Sequence, residues 1–174
     1  MPAAPQFRFL RFIWAVVPML TVAIGIFAPI LPYGQVWGRF PTPAIALIPL
    51  YYWTIHRPEL LPPVIVFLLG LAQDFATAGP VGLWAVVYLI TYAVTLSQRA
   101  EIEGMPMRFA WAAFAGVTLL GLLVGWFGAS IYNGGFLSAV PMALQAVITA
   151  ALFPILGWPL VFVEGEIAVA MRQH

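Results

Sequence analysis

Residues 60–84 read LLPPVIVFLLGLAQDFATAGPVGLW. An apolar run follows Pro58 and ends at Thr77-Ala78-Gly79, which predicts a helix over about 60–77. Within it Asp74 is the one charged residue, and Phe67, Gly70, Asp74 and Thr77 share a face by the three-or-four spacing. Pro80 then stands in the favoured first turn of a following helix. An apolar helix that carries a single carboxylate is at home in lipid, provided the carboxylate faces protein, water or a partner.

The rest of the chain agrees. Of its 174 residues 63% are hydrophobic and 7% charged, and the mean hydropathy is +1.00. A soluble domain carries roughly 25% charged residues to coat its surface, so this surface is expected to face lipid. Cysteine is absent, which removes disulfides and thiolate chemistry; the two histidines, His56 and His174, are too few for a histidine metal site. Every basic residue is arginine. The run from Phe12 to Leu31 follows Arg8 and Arg11 and lacks a small-x-small cleavage site, so it reads as an uncleaved anchor.

Six apolar segments are expected: about 12–32, 43–56, 60–77, 80–98, 108–132 and 138–163, in a single transmembrane domain with a polar tail from Glu164 to His174. The second is short and contains Pro49, so a re-entrant loop competes with a span. Charge decides between them. With six spans and the N-terminus inside, Arg8, Arg11, Arg57, Arg99, Arg108 and Arg172 are all cytoplasmic and Arg39 alone is outside. Both termini are then cytoplasmic. Tyr33, Trp37, Trp84 and Tyr132 fall near outer ends, and Tyr51, Tyr52, Trp53 and Trp111 near inner ends, as an interfacial belt requires.

Asp74 lies roughly 24 Å along its helix from Pro58, at about 1.5 Å per residue, nearer the outer surface than the midplane. A structural role, tying helix ends together through Arg39, a tryptophan N–H or backbone donors, is favoured over a substrate or ion site. On the fifth segment Thr118, Gly121, Gly125 and Gly128 form a small-residue stripe that admits a closely packed helix, internal or a partner's. Polar stripes at Trp84, Tyr88, Thr91 and Thr95, and at Pro141, Gln145 and Thr149, read as interhelical hydrogen-bonding groups. Glu164 and Glu166 read as solvated. No nucleophile-base set, metal cluster or phosphate loop is present, so no enzymatic activity, cofactor or nucleic-acid partner is expected.

Tyr51-Tyr52-Trp53, Arg57-Pro58-Glu59-Leu60-Leu61-Pro62, Gly70-Leu71-Ala72-Gln73-Asp74, Gly79-Pro80-Val81-Gly82 and Ser97-Gln98-Arg99 follow one another over about 50 residues. This pattern resembles MreD, the rod shape-determining membrane protein family of bacteria. The resemblance implies an all-α, six-helix membrane bundle similar to the substrate-binding S component of energy-coupling-factor transporters. It also implies a non-enzymatic scaffold of the cytoplasmic (inner) membrane that organises peptidoglycan synthesis. Its partners would be membrane lipids, MreC, RodA with its transpeptidase, and MreB filaments through the complex. Arg57, Gly70, Gln73 and Asp74 carry the motif, with Arg39, Gly121 and Gly125 added from the residues themselves. A substrate-binding component of a small-solute transporter is the alternative.

Overall fold

The structure, a computed structural model, describes residues 5–28 and 41–172, with side chains over 16–28 and 41–165. The described residues are all-α, with no strand: α1 (Pro5–Phe27), α2 (Leu47–His56), a short 3-10 turn at Pro58–Leu60, α3 (Pro63–Thr77), α4 (Leu83–Ile102), α5 (Met107–Tyr132) and α6 (Val140–Arg172). Two helices, α5 and the 140–165 stretch of α6, are each long and apolar enough to cross a membrane. The expected end of the first segment, near residues 29–34, lies outside the described residues.

The short helix α2 is the centre. All its residues from Leu47 to Ile55 are buried, against α1, α4, α5 and α6. Pro49 does not break it, because it occupies the first turn, where a backbone N–H has no intrahelical acceptor. Three successive side chains, each about 100° on from the last, bond three different neighbours. The Tyr51 hydroxyl donates to the Ala110 carbonyl of α5 at 2.9 Å. The Tyr52 hydroxyl donates to Glu164 Oε2 of α6 at 3.3 Å. The Trp53 indole N–H donates to Thr21 Oγ1 of α1 at 2.9 Å. Around Tyr51 the rings of Phe114 and Phe153 complete an aromatic core, stacked on each other at 4.4 Å and edge-on to Tyr51 at 5.2 and 5.8 Å.

The chain entering α2 is not helical, and its backbone is satisfied by α6. Pro41 and Pro43 have no N–H to satisfy. The Thr42 carbonyl accepts from Gln145 Nε2 at 2.7 Å, and the Ala44 N–H donates to Thr149 Oγ1 at 2.9 Å. Gly25 of α1 faces this same entry, where a Cβ would lie 2.7 Å from the Ala46 Cα.

Several boundaries differ from those expected. α3 starts at Pro63, with extended Pro62 as its N-cap, because the 3-10 turn takes up residues 58–60. α4 starts at Leu83, three residues past Pro80, and runs on to Ile102 until Gly104 (φ +90) and Pro106 stop it. Ser97, Gln98 and Arg99 are helix-compatible and do not end it. α6 continues through the expected polar tail to Arg172, and Glu164 is half-buried beneath Tyr52 rather than solvated.

Pro154 lies inside α6 and so leaves the Ala150 carbonyl without its intrahelical donor. The Trp111 indole of α5 donates to that carbonyl at 2.7 Å. Trp111→Phe is therefore expected to lower thermal stability by about 1 kcal/mol, the cost of losing the one donor to this carbonyl. Pro154→Ala should restore most of that loss by returning an N–H to the helix. Melting curves of the two single variants and the double variant measure it, and purely additive losses would remove the pairing from the account.

Candidate functional site

The polar junction of the molecule lies where α3 turns into α4, and each residue of the turn has a local reason. α3 ends because Ala78 adopts a left-handed conformation (φ 50), its N–H donating to the Asp74 carbonyl. Thr77 Oγ1 closes the last turn by donating to the Gln73 carbonyl at 2.8 Å. Pro80 accepts the Leu83 N–H at 3.1 Å. Gly82, at φ +95, is the N-cap of α4 in a conformation that side chains rarely adopt.

Gly82 has no side chain to cap the helix. Asp74 supplies the cap from the neighbouring helix. Its Oδ2 accepts the Gly82 N–H and its Oδ1 accepts the Trp84 N–H, both at 2.8 Å. The carboxylate is 1% exposed, with no cation paired to it among the described residues. Its charge is met by two backbone dipoles and by the positive end of α4, the usual anion environment of a helix start. Of the donors weighed for Asp74, the backbone at the start of the fourth helix is the one in place; Arg39, with Tyr33 and Trp37, lies outside the described residues.

The carboxylate can reach only because the two helices touch one turn earlier. A Cβ on Gly70 would lie 2.4 Å from the Ala85 Cα and 2.7 Å from its nitrogen, so backbone meets backbone there. Gln73, beside Asp74, accepts the Tyr88 hydroxyl through Oε1, and Tyr88 packs edge-on to Trp84 at 6.0 Å. Gly70, Gln73 and Asp74 thus form one face that holds α4. Ala85 and Tyr88 were not singled out together from the sequence; their spacing of three, one turn into the next helix, is the available signal.

Arg57 is elsewhere, at the other end of the bundle. It caps α2 through its own N–H, and its guanidinium pairs loosely with Glu59 at 3.7 Å. Gly121 and Gly125 lie against α4. A Cβ on Gly121 would stand 2.7 Å from Thr91 Oγ1, and one on Gly125 3.1 Å from Val87 Cγ2. The small stripe is thus spent inside the bundle. Thr91 and Thr118 are buried here with their hydroxyls unpartnered. Gly121→Ala is expected to destabilise by about 1–3 kcal/mol, and Thr91→Ala in the same chain to recover most of it by removing the opposing oxygen. If the double variant melts no higher than Gly121→Ala alone, this contact is not the limiting one.

A cavity of about 460 Å³ opens at the same end of the molecule between α4, α5 and α6, lined by Trp84, Val87, Leu122, Trp126, Met142 and Gln145 among others. Its walls are mainly apolar, and the Gln145 amide N–H is already donated to Thr42. Among the described residues no group of three or more histidine, aspartate or glutamate side chains converges to hold a metal. Compared with known proteins, the chain matches no protein-family profile, no curated protein and no solved structure.

Proposed function

We propose that this chain is a multi-spanning membrane scaffold of the MreD type, acting without catalysis in the bacterial inner membrane to organise peptidoglycan synthesis along the cell cylinder. In this reading all six helices cross, both termini are cytoplasmic, and the bundle is of the S-component kind. The short α2 is completed as a span by the 41–46 entry, and its burial among neighbours keeps it from lipid. MreC and RodA with its transpeptidase are the direct partners, and MreB filaments associate through the complex.

One observation carries the reading. Six of the residues that carry the resemblance join helices: Tyr51, Tyr52 and Trp53 at the centre, and Gly70, Gln73 and Asp74 at the α3–α4 junction. Both Asp74 oxygens are occupied by backbone amides, so the one acidic group deep in α3 serves construction rather than ion or proton transfer. The 460 Å³ cavity favours a second reading, a solute-binding transporter component, since such a recess is of ligand size.

Purification from native membranes in a mild detergent separates the two. Recovery of MreC and cell-wall synthases supports the scaffold. Recovery of ATP-hydrolysing energising subunits in their place refutes it. A reporter fused after His174 that is active only in the periplasm would overturn the topology.

A further inference from the structure

The inner part of α6 is joined to the bundle differently from the rest of the molecule. Pro154 and Pro159 stand five residues apart inside this helix, and each removes a backbone hydrogen bond. Gly157 lies between them. A Cβ there would make only ordinary contacts, 3.7 Å to Met107 Cε and 3.9 Å to Phe153 Cζ, so packing does not require a glycine at that position. Two prolines flanking an unneeded glycine make a site of low bending resistance.

Beyond this site the attachments are few. Leu160 is buried and Val163 half-buried against the core. Among the described residues, the bond from Tyr52 to Glu164 Oε2 is the one side-chain hydrogen bond joining residues 155–165 to the rest of the chain. Its donor is held in place. The Tyr52 ring stacks on His56 at 4.2 Å and 18°, and His56 Nδ1 is fixed at 2.9 Å from the Tyr52 carbonyl. Beside the α6 segment lies a recess of about 220 Å³ bounded by Tyr52, His56, Ile102, Met107 and Val161 among others. Val161 is the one residue beyond Pro159 that lines it, so the segment borders a space it does not fill.

We propose that α6 beyond Pro159 is a hinged arm, latched to α2 by the Tyr52–Glu164 hydrogen bond, and that release of the latch swings it off the recess. The bend is at Pro154–Pro159. Gly165 lies about 9–16 Å beyond the two prolines at 1.5 Å per residue, so a bend of about 20° moves it by about 3–6 Å.

The chain has no cysteine, so a pair of spin labels can be placed cleanly. Val64→Cys on α3 is exposed, and Gly165→Cys on the arm has open space for a side chain. Pulsed dipolar distances are recorded on the full chain in lipid nanodiscs. The parent should give one narrow distribution. Tyr52→Phe, which keeps the ring and its stacking, should add a second population displaced by about 3–6 Å, and Glu164→Gln a smaller fraction of the same population. Pro154→Ala/Pro159→Ala in the Tyr52→Phe chain should return the single distribution. A Tyr52→Phe distribution that superimposes on the parent's overturns the latch. A displaced population that survives removal of both prolines overturns the hinge.

Discussion

Gly70→Ala is expected to remove most of the folded protein. The new methyl would lie 2.4, 2.7 and 2.9 Å from the Ala85 Cα, the Ala85 nitrogen and the Trp84 carbonyl carbon. All three are backbone atoms, so no rotamer change relieves the overlap, and α3 and α4 must part by about 1 Å to reach ordinary contact. Overpacking of this kind costs about 1–3 kcal/mol by itself. The separation also stretches the two 2.8 Å bonds at Asp74 beyond useful length, and hydrogen bonds to a charged group contribute about 1.5–3 kcal/mol each. Fluorescence-detected size exclusion in mild detergent reports the yield, and a thermal melt reports the stability of what remains. A Gly70→Ala protein with parental yield and melting temperature would mean that the two backbones are not in contact.

Asp74→Leu should be almost as severe. It leaves the part-buried Gly82 and Trp84 N–H groups without an acceptor, at about 1–3 kcal/mol each, and removes the anion from the start of α4, a further loss of about 0.3–1 kcal/mol or more. Asp74→Asn separates hydrogen bonding from charge. Its one carbonyl oxygen can serve one of the two donors, but its NH₂ must face the other, so an intermediate loss is expected. The readout is again yield and melting temperature. Parental behaviour of Asp74→Leu would sink the capping role, and equal losses in the Asn and Leu variants would assign the effect to charge alone.

These two residues show how much the sequence discloses. A lone aspartate near the end of an apolar helix, ahead of Gly79-Pro80-Val81-Gly82, announces a carboxylate that must find donors. The small stripe at Gly121 and Gly125 announces a close helix contact in the same way. Which donors and which helix are tertiary facts. The periodicity of one helix says which residues share a face and nothing about the neighbour that face meets. The indole of Trp111 reaching the carbonyl freed by Pro154 is a pairing across 39 positions, and no local pattern marks it. Polarity alone does not end a helix. Glu164, Gly165 and Glu166 look like the start of a tail, yet no proline follows to break the helix, and Tyr52 gives Glu164 a reason to stay. The start of α4 is likewise set by a tertiary contact. Pro80 suits a first turn, but the cap comes from Asp74 and sets the start at Leu83.

The three anchors of α2 also fix an order in time. Trp53 meets a partner made 32 residues earlier, but Tyr51 waits for a residue 59 positions ahead and Tyr52 for one 112 positions ahead. At about 5–20 residues per second of synthesis, those waits are about 3–12 s and 6–22 s. Through the longer wait the element at the middle of the finished bundle can pack on α1 and then α4, but the Tyr52 phenol stays unmatched and Pro41–Ala44 lacks the side chains of α6 that satisfy its backbone. The α3–α4 hairpin, whose bonds span only 8–15 positions, closes within that same wait. Assembly therefore runs from a completed hairpin toward a centre that locks last, when α6 arrives.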